Sequence, residues 1–468
     1  MRISIFLVLA TASAYVVSAT RPDTLAMQIP AQWTYTSEFY QTSPADDNWW
    51  RSFDDPLLDS LISRGIDNNF NVAIAARRIN IARQAVRQAK TGYYPQIDIG
   101  AGWSKTRQSG NITSPAVPPS TTDYFSASID MAWEIDLFGR INSQVRERKA
   151  QYNASAADYL ATMNSLCAEI ATCYIQLRTV QEELDVTRTQ LASQEKVLKI
   201  ADARHEAGLN SGLDVAQAST VYYSTESSLQ PLYTSINRNI NMLALLLGCF
   251  PDEIKPLLET HRPLPDYRRL VGVGVPADLL RRRPDVRAAE YDMAAAAAAT
   301  GIAKKDFLPT LTLDGSVGVA AHDIGDMFTR RSITYSITPR LSWTIFDGMA
   351  RNASLAAARE QMQIAIDNYN LTILTAVEET DNALSDYTGQ LRTIASLETV
   401  VQRAQKEMDL SLDLYKQGLS DFLSVAQAQI TLLEYTDRLV AARGNAATAL
   451  ITLYKALGGG WQVPESAR

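Results

Sequence analysis

The sequence predicts a mixed α/β membrane protein built as an incomplete tube, in which two similar halves each carry one β-hairpin beside a very long helix. Three observations predict it. Landmarks recur in the same order about 210 residues apart: GYYPQI (Gly92 to Ile97), DLFG (Asp136 to Gly139) and AGLNSGLDVAQA (Ala207 to Ala218) are answered by DFLPTL (Asp306 to Leu311), IFDG (Ile345 to Gly348) and QGLSDFLSVAQA (Gln417 to Ala428). Each half holds two runs that alternate apolar and polar residues, the period of a strand. Each half also holds a long stretch with no helix breaker and apolar residues every seventh position.

In chain order, Arg2, the apolar run Ile3 to Val17 and the small-residue pattern Val17-Ser18-Ala19 read as a secretory signal peptide over 1–19. No later stretch approaches the roughly 20 apolar residues of a membrane-spanning helix. An extended segment with Trp33, Trp49 and Trp50 follows over 20–55. The first repeat, 56–250, opens with a helix from Pro56 to about Lys90, with Gly65 as its weak point. Gly92 and Pro95 stop it, and a hairpin follows over 96–134, with Ile97, Ile99, Ala101 and Trp103 on one side and Asp98, Gly100, Gly102 and Ser104 on the other.

A helix over 140–206 would be roughly 100 Å long at about 1.5 Å per residue. Met163, Ile170, Leu177, Leu184, Leu191 and Leu198 mark its seam. Gly208 ends it, and a helix capped by Ser211 runs over 212–247. The connector 251–276 is rich in proline and charge and lacks either periodicity, as a small equatorial belt would. The second repeat, 277–457, answers with a helix, a hairpin over 310–346, a long helix over 349–416 and, with Ser420 as the cap, a helix over 420–457. The second seam runs through Ile373, Thr380, Tyr387, Ile394, Val401, Met408 and Tyr415. A tail, 458–468, closes the chain.

Composition narrows the function. The formal net charge of −7 is spread over well-mixed charges, which excludes a nucleic-acid surface. Arg281, Arg282 and Arg283 form the one basic cluster, and the Pro284-Asp285 that follows makes it a helix start rather than a phosphate site. Cys167, Cys173 and Cys249 are not a disulfide framework. His205, His261 and His322 are widely separated, without a metal or nucleophile spacing, and no nucleotide-binding or metalloprotease motif is present. No catalytic, cofactor-binding or metal residue is therefore expected.

Four strands cannot close a barrel alone, and lipid tolerates no open edge, so several copies must share one; three copies would supply 12 strands. Trp103, Tyr124, Trp133 and Trp343 near strand ends are candidates for an interfacial aromatic belt. Together NWWRSFDDPLLDSL from Asn48, GYYPQI from Gly92, DLFGR from Asp136, GVPADLLRRRPDVRAAE from Gly274, IFDG from Ile345 and ALGGGW from Ala456 resemble the outer-membrane efflux protein family, the TolC-like and especially the OprM-like channels, over essentially the whole mature length.

The resemblance implies a homotrimer: a shared 12-stranded outer-membrane β-barrel continuing into a periplasmic α-helical coiled-coil barrel. It implies a passive exit duct for drugs or other small molecules in a Gram-negative outer membrane, docked through a periplasmic adaptor to an inner-membrane pump. The tips Gly208-Leu209 and Gly418-Leu419 would meet the adaptor. The periplasmic gate would draw on Tyr415, Asp421, Ser424, Gln427 and Asp214, with Ser424 and Gln427 standing where the family often has acidic residues. The lipidated cysteine common in OprM-like members has no counterpart before Cys167. The competing reading is an exported coiled-coil structural or adhesin-like protein, which accounts for the heptads but not for two-faced hairpins.

Overall fold

A computed structural model describes residues 30, 32–34, 40–41, 48–112, 115, 118–265, 271–276 and 282–459. The signal peptide, most of the segment before Asn48, Arg281 and the tail from residue 460 lie outside the described residues. A two-residue strand β1 (Tyr40–Gln41) and a short 3-10 turn (Trp49–Phe53) precede helices α1 (Pro56–Asn68) and α2 (Phe70–Thr91). Strands β2 (Gln96–Gln108) and β3 (Ser120–Ile135) form the first hairpin, and α3 (Arg140–Glu206) and α4 (Gly212–Leu246) the first helical pair. Helix α5 (Pro251–Leu258) and strand β4 (Val271–Gly272) lie between the repeats. Helix α6 (Pro284–Lys305), strands β5 (Thr310–Ala321) and β6 (Ile333–Ser342), and helices α7 (Ala350–Lys416) and α8 (Phe422–Ala456) form the second repeat.

Local chemistry explains the boundaries. Pro56 sits in the first turn of α1, where its missing N–H costs nothing, and the Asp55 carboxylate accepts from Leu57 N at 2.9 Å. The expected single first helix is two: the break falls at Asn69, whose extended backbone lets its side chain accept from Asn71 N and Val72 N and cap α2. Gly65 is no weak point. It is buried in α1, and any Cβ there would collide with the Ile170 side chain, so glycine allows α1 to lie close on α3. The DLFG and IFDG landmarks are strand-to-helix switches. Asp136 accepts from Ile141 N at 3.0 Å and Asn142 N at 2.9 Å, while Asp347 accepts from Arg351 N at 3.2 Å and Nε at 2.7 Å. The last helix starts at Phe422 with Asp421, not Ser420, as its cap.

The connector has more order than its sequence suggests. Ile254 and Leu258 of α5 are fully buried, and β4 pairs in parallel with β1. Arg178, itself fully buried on α3, donates to Thr260 O at 2.9 Å and pins the end of this segment. Trp49 stacks on Tyr454 with ring centroids 5.4 Å apart, which fixes the N-terminal segment to α8.

The helices form one curved layer. Beside the sheet its order is α2, α3, α6, α7; toward the tips it is α4, α3, α8, α7. The layer therefore ends in α2 or α4 on one flank and α7 on the other. The strands sit above it as one antiparallel sheet in the order β2-β3-β5-β6, with β3 of the first repeat paired to β5 of the second. Among the described residues no helix is long and apolar enough to cross a membrane.

Candidate functional site

The register assigns every strand residue to a face, because residues directly opposite in an antiparallel pair share one. Ile99 lies opposite Ile129, Ile129 opposite Val317 and Val317 opposite Tyr335; the next row is Ala101, Ala127, Val319 and Ile333. Every row of this face from Ile97 to Trp103 is apolar. The other face reads Asp98, Asp130, Ser316 and Ser336 in one row, with Gly100, Ser128, Gly318 and Thr334 in the next. The apolar face is bare in the single chain: Ile99 is 84% and Tyr335 82% exposed. A face of this extent in water would aggregate; facing lipid it is in its own solvent.

Indole side chains sit at both ends of that face. Trp103 stacks on Phe125, and its indole donates to Asp123 at 3.1 Å; one row farther out, Lys105 pairs with Asp123 at 3.4 Å. At the helical end Trp133 lies opposite Leu313, and the Trp343 indole donates to Phe307 O at 3.0 Å. Tyr124 does not belong with them. It lies opposite Ser104 on the polar face, edge-on to His322, because its position in β3 is one residue out of phase with Phe125. At about 3.4 Å per residue and a tilt of about 40°, the run from Phe125 to Ile135 covers about 26 Å of bilayer, close to the apolar band of outer-membrane barrels.

At the opposite end of the molecule two hairpin tips are closed by the same backbone device. Gly208 (φ 69°) follows α3, with Gly208 N donating to His205 O at 2.9 Å and Leu209 N to Arg204 O at 2.8 Å. Gly418 (φ 73°) follows α7, with Gly418 N donating to Tyr415 O at 3.0 Å and Leu419 N to Leu414 O at 2.9 Å. Positive φ favours glycine here, and the paired bonds satisfy the last helix carbonyls. Leu209 and Leu419 project at 65% and 70% exposure.

The tips are tied to each other through Tyr415, which is only 2% exposed. Its hydroxyl donates to Asp214 Oδ2 at 3.2 Å and accepts from Asn210 Nδ2 at 2.9 Å. Arg204 lies 4.9 Å above its ring and donates to Lys416 O at 2.8 Å. Phe422 packs edge-on at 5.3 Å. Burial, ahead of the Asn210 contact that opposes it and the Asp214 charge that adds to it, pushes the phenol above its ordinary range, so it stays a neutral donor.

The remaining candidates are not part of this cluster. Asp421 caps α8, accepting from Ser424 N at 3.2 Å and Ser424 Oγ at 2.8 Å. Gln427 donates to Thr431 one turn on. Sequence reading missed Asn210 and Arg204, since a partner about 205 residues away leaves no local signature. Among the described residues no cluster of His, Cys, Asp and Glu could hold a metal, and the three cysteines are free.

A sheet with one lipid-compatible face and one polar face, above a periplasm-length helical layer, defines a membrane-channel subunit. The chain belongs to the Outer membrane efflux protein family, which matches residues 61–249 and 275–459. It is 30% identical over 423 residues to the toluene efflux pump outer membrane protein TtgF of Pseudomonas putida, covering 90% of this chain and 87% of that protein. It is 30% identical over 450 residues to the pyoverdine export outer membrane protein OpmQ of Pseudomonas aeruginosa, covering 95% and 94%. Its fold is similar to that of the outer-membrane channel OprN, with a TM-score of 0.88, 29% identity and coverage of 93% of this chain and 98% of that one. The chain is accordingly an outer-membrane channel component of a tripartite efflux system with a long periplasmic extension, a conduit and not an enzyme.

Proposed function

We propose that three copies of this chain close one 12-stranded barrel and one α-helical tunnel, through which a pump and a periplasmic adaptor pass small molecules to the outside. One observation carries the reading: the four-stranded sheet has a complete apolar face and two unpaired edges, β2 and β6. Each unpaired edge group in hydrocarbon costs several kcal/mol, so the edges must meet other strands. The helical layer supports the same closure. Its flanks carry exposed apolar residues, Phe70, Ile74 and Ile81 on α2 and Ile364, Leu371 and Leu374 on α7, so α2 with β2 of one copy fits α7 with β6 of the next. Such head-to-tail contact closes into a ring when the rotation is right.

In this reading the polar row Asp98, Asp130, Ser316 and Ser336 lines the pore. Tyr415, Asp214 and Asn210 form the latch that holds the periplasmic mouth narrow, and Leu209 and Leu419 are the knobs that meet the adaptor. Asp421, Ser424 and Gln427 stand beside the mouth without joining the latch. Relatives named for toluene efflux and for pyoverdine export share this fold, so cargo is proposed only as small molecules, chosen upstream of the duct.

Planar-bilayer recording of the purified protein tests the reading. Discrete low-conductance channels that grow in Tyr415→Phe support pore and latch together. Membrane-inserted protein without conductance in either form would overturn the channel, and equal conductance in both would overturn the latch.

A further inference from the structure

The helical body has two apolar cores, and the level between them is built differently from both. The upper core reaches Leu177 on α3, Ile240 on α4 and Leu439 on α8. The lower core, which includes the tips, resumes at Val197, Val221 and Leu432. Between them the buried positions of α3 are polar except Leu184: Arg178, Gln181, Thr187 and Gln194. Among the described residues, Gln194, 2% exposed, finds no partner for its side-chain nitrogen or oxygen, and buried Gln429 Nε2 finds none either.

Two more features fall at this level. Pro231 lies inside α4, where it removes a helix hydrogen bond and crowds the preceding turn. Its counterpart 210 residues on is Ala441, so only the first repeat carries the break. Beside it a groove of about 340 Å³ opens between α3, α4 and α8, lined by Glu183, Thr187, Ser228, Leu232, Asp437, Arg438 and Ala441. The groove is open to solvent, so the three helices are less closely packed here than in the cores above and below.

Two carboxyls from different helices face the groove. Burial, with the Asp437 charge added, pushes Glu183 up to about 6, and burial pushes Asp437 up to about 6. Asp437 Oδ1 is buried without a hydrogen-bond partner among the described residues. The nearby cations are engaged elsewhere: Arg438 with Glu434 at 2.6 Å, Arg443 with Glu398 at 3.1 Å, and Arg188 with the Tyr233 hydroxyl at 2.7 Å. Glu182 faces His261 at 3.4 Å. Helix α4 lines the groove with Ser228 and Leu232 and brings no charge to it.

We propose that the Glu183–Asp437 level is a hinge whose stiffness follows periplasmic pH: firm while both carboxyls hold protons, pliant once both are ionised. The closed arrangement of the groove binds protons that a parted one releases, because both carboxyls titrate above their ordinary range in the closed arrangement. The closed arrangement is therefore fully stable below the ordinary carboxylate range and loses stability as the pH rises through about 6. Ionised, the pair repels across the groove, the helices part further, and the lower core with both tips swings about Pro231. The consequence for gating rests on the channel reading; the hinge itself does not.

Hydrogen exchange on the full-length protein in detergent tests it, corrected for the intrinsic pH dependence of exchange. Between about pH 5 and about pH 7.5 protection in 181–194, 225–236 and 430–438 should fall by about tenfold while the upper core holds. Glu183→Gln with Asp437→Asn should flatten that profile, and Pro231→Ala should raise protection at every pH without moving the midpoint. If the double variant does not fold, Asp437→Asn alone should reduce the slope. A flat wild-type profile, or an unchanged slope in the folded carboxyl variants, overturns the hinge. A steep profile in a protein that conducts no current would sustain the hinge and fail only the channel.

Discussion

At the first tip His205 and Asn210 flank Gly208, and Asp214 stands in the first turn of α4; at the second the same places hold Tyr415, Ser420 and Ser424. The backbone bonds that close the two hairpins agree within 0.1 Å, 2.9 against 3.0 Å and 2.8 against 2.9 Å. The side chains do not repeat. Tyr415 from the second tip reaches into the first, and Asp214 and Asn210 from the first receive it. Duplication supplied a hairpin that needs glycine at one position; divergence at three other positions turned two independent hairpins into a tied pair. The helices behind the tips differ in the same way, since α4 has Pro231 where α8 has Ala441.

The largest effect of a substitution is expected in the strands. Ile99 and Leu313 are counterparts in the two hairpins: both lie on the apolar face, each four residues beyond the proline that precedes its strand, Pro95 and Pro309. Arginine at either should cost a similar amount, up to about 2–4 kcal/mol per chain, read as the fraction folded into bilayers. A difference of more than about 2 kcal/mol between them would break the equivalence of the two hairpins.

Next come the glycines, where the halves should agree. Gly208→Val and Gly418→Val each force a branched residue into left-handed backbone at about 1–2 kcal/mol, so their thermal midpoints should fall together. A difference of more than about 1 kcal/mol would mean that the tips are not mechanically equivalent. At the latch they should differ. Tyr415→Phe strips the bond to Asp214 and leaves Asn210 short of a partner, about 1–2 kcal/mol, or roughly tenfold in the open-to-closed ratio of single channels. His205→Phe, which loses only an exposed ring contact to Asn210 O at 3.2 Å and none to Tyr415, should change that ratio far less. The smallest effect is at the caps. Asp421→Ala should cost about 1 kcal/mol of helix stability and Ser211→Ala only a few tenths, because the Ser211 side chain makes no capping bond. Equal losses by thermal denaturation would contradict this asymmetry.

What the sequence discloses and what it hides follow from the range of the interactions. Alternation assigns nearly every strand residue to its face, because period two survives any twist of the sheet. Tyr124 lies on the polar face because its phase, not its bulk near a strand end, decides where it points. The seven-residue seam holds along α7, where Ile373, Thr380, Tyr387, Ile394, Met408 and Tyr415 are buried and Val401 is half-buried. Along α3 it holds from Met163 to Leu184 and then drifts, so that Gln194, Val197 and Ala201 are buried in place of Leu191 and Leu198. A helix near 3.6 residues per turn must drift against a strict seven-residue repeat. The α1–α2 break escaped notice because Asn69 acts through a local cap that composition does not advertise, while Gly65 looked weak and proved to be a packing contact. The latch and the Glu183–Asp437 groove were invisible because each joins residues more than 200 apart.

In the proposed trimer the open edges β2 and β6 are joined by other copies of the same chain. Native mass measurement of the protein extracted from outer membranes with mild detergent tests it most directly. Three chains per particle, recovered from the membrane and not from the soluble fraction, is the predicted result; a monomer in detergent, or in buffer without it, would contradict the shared barrel.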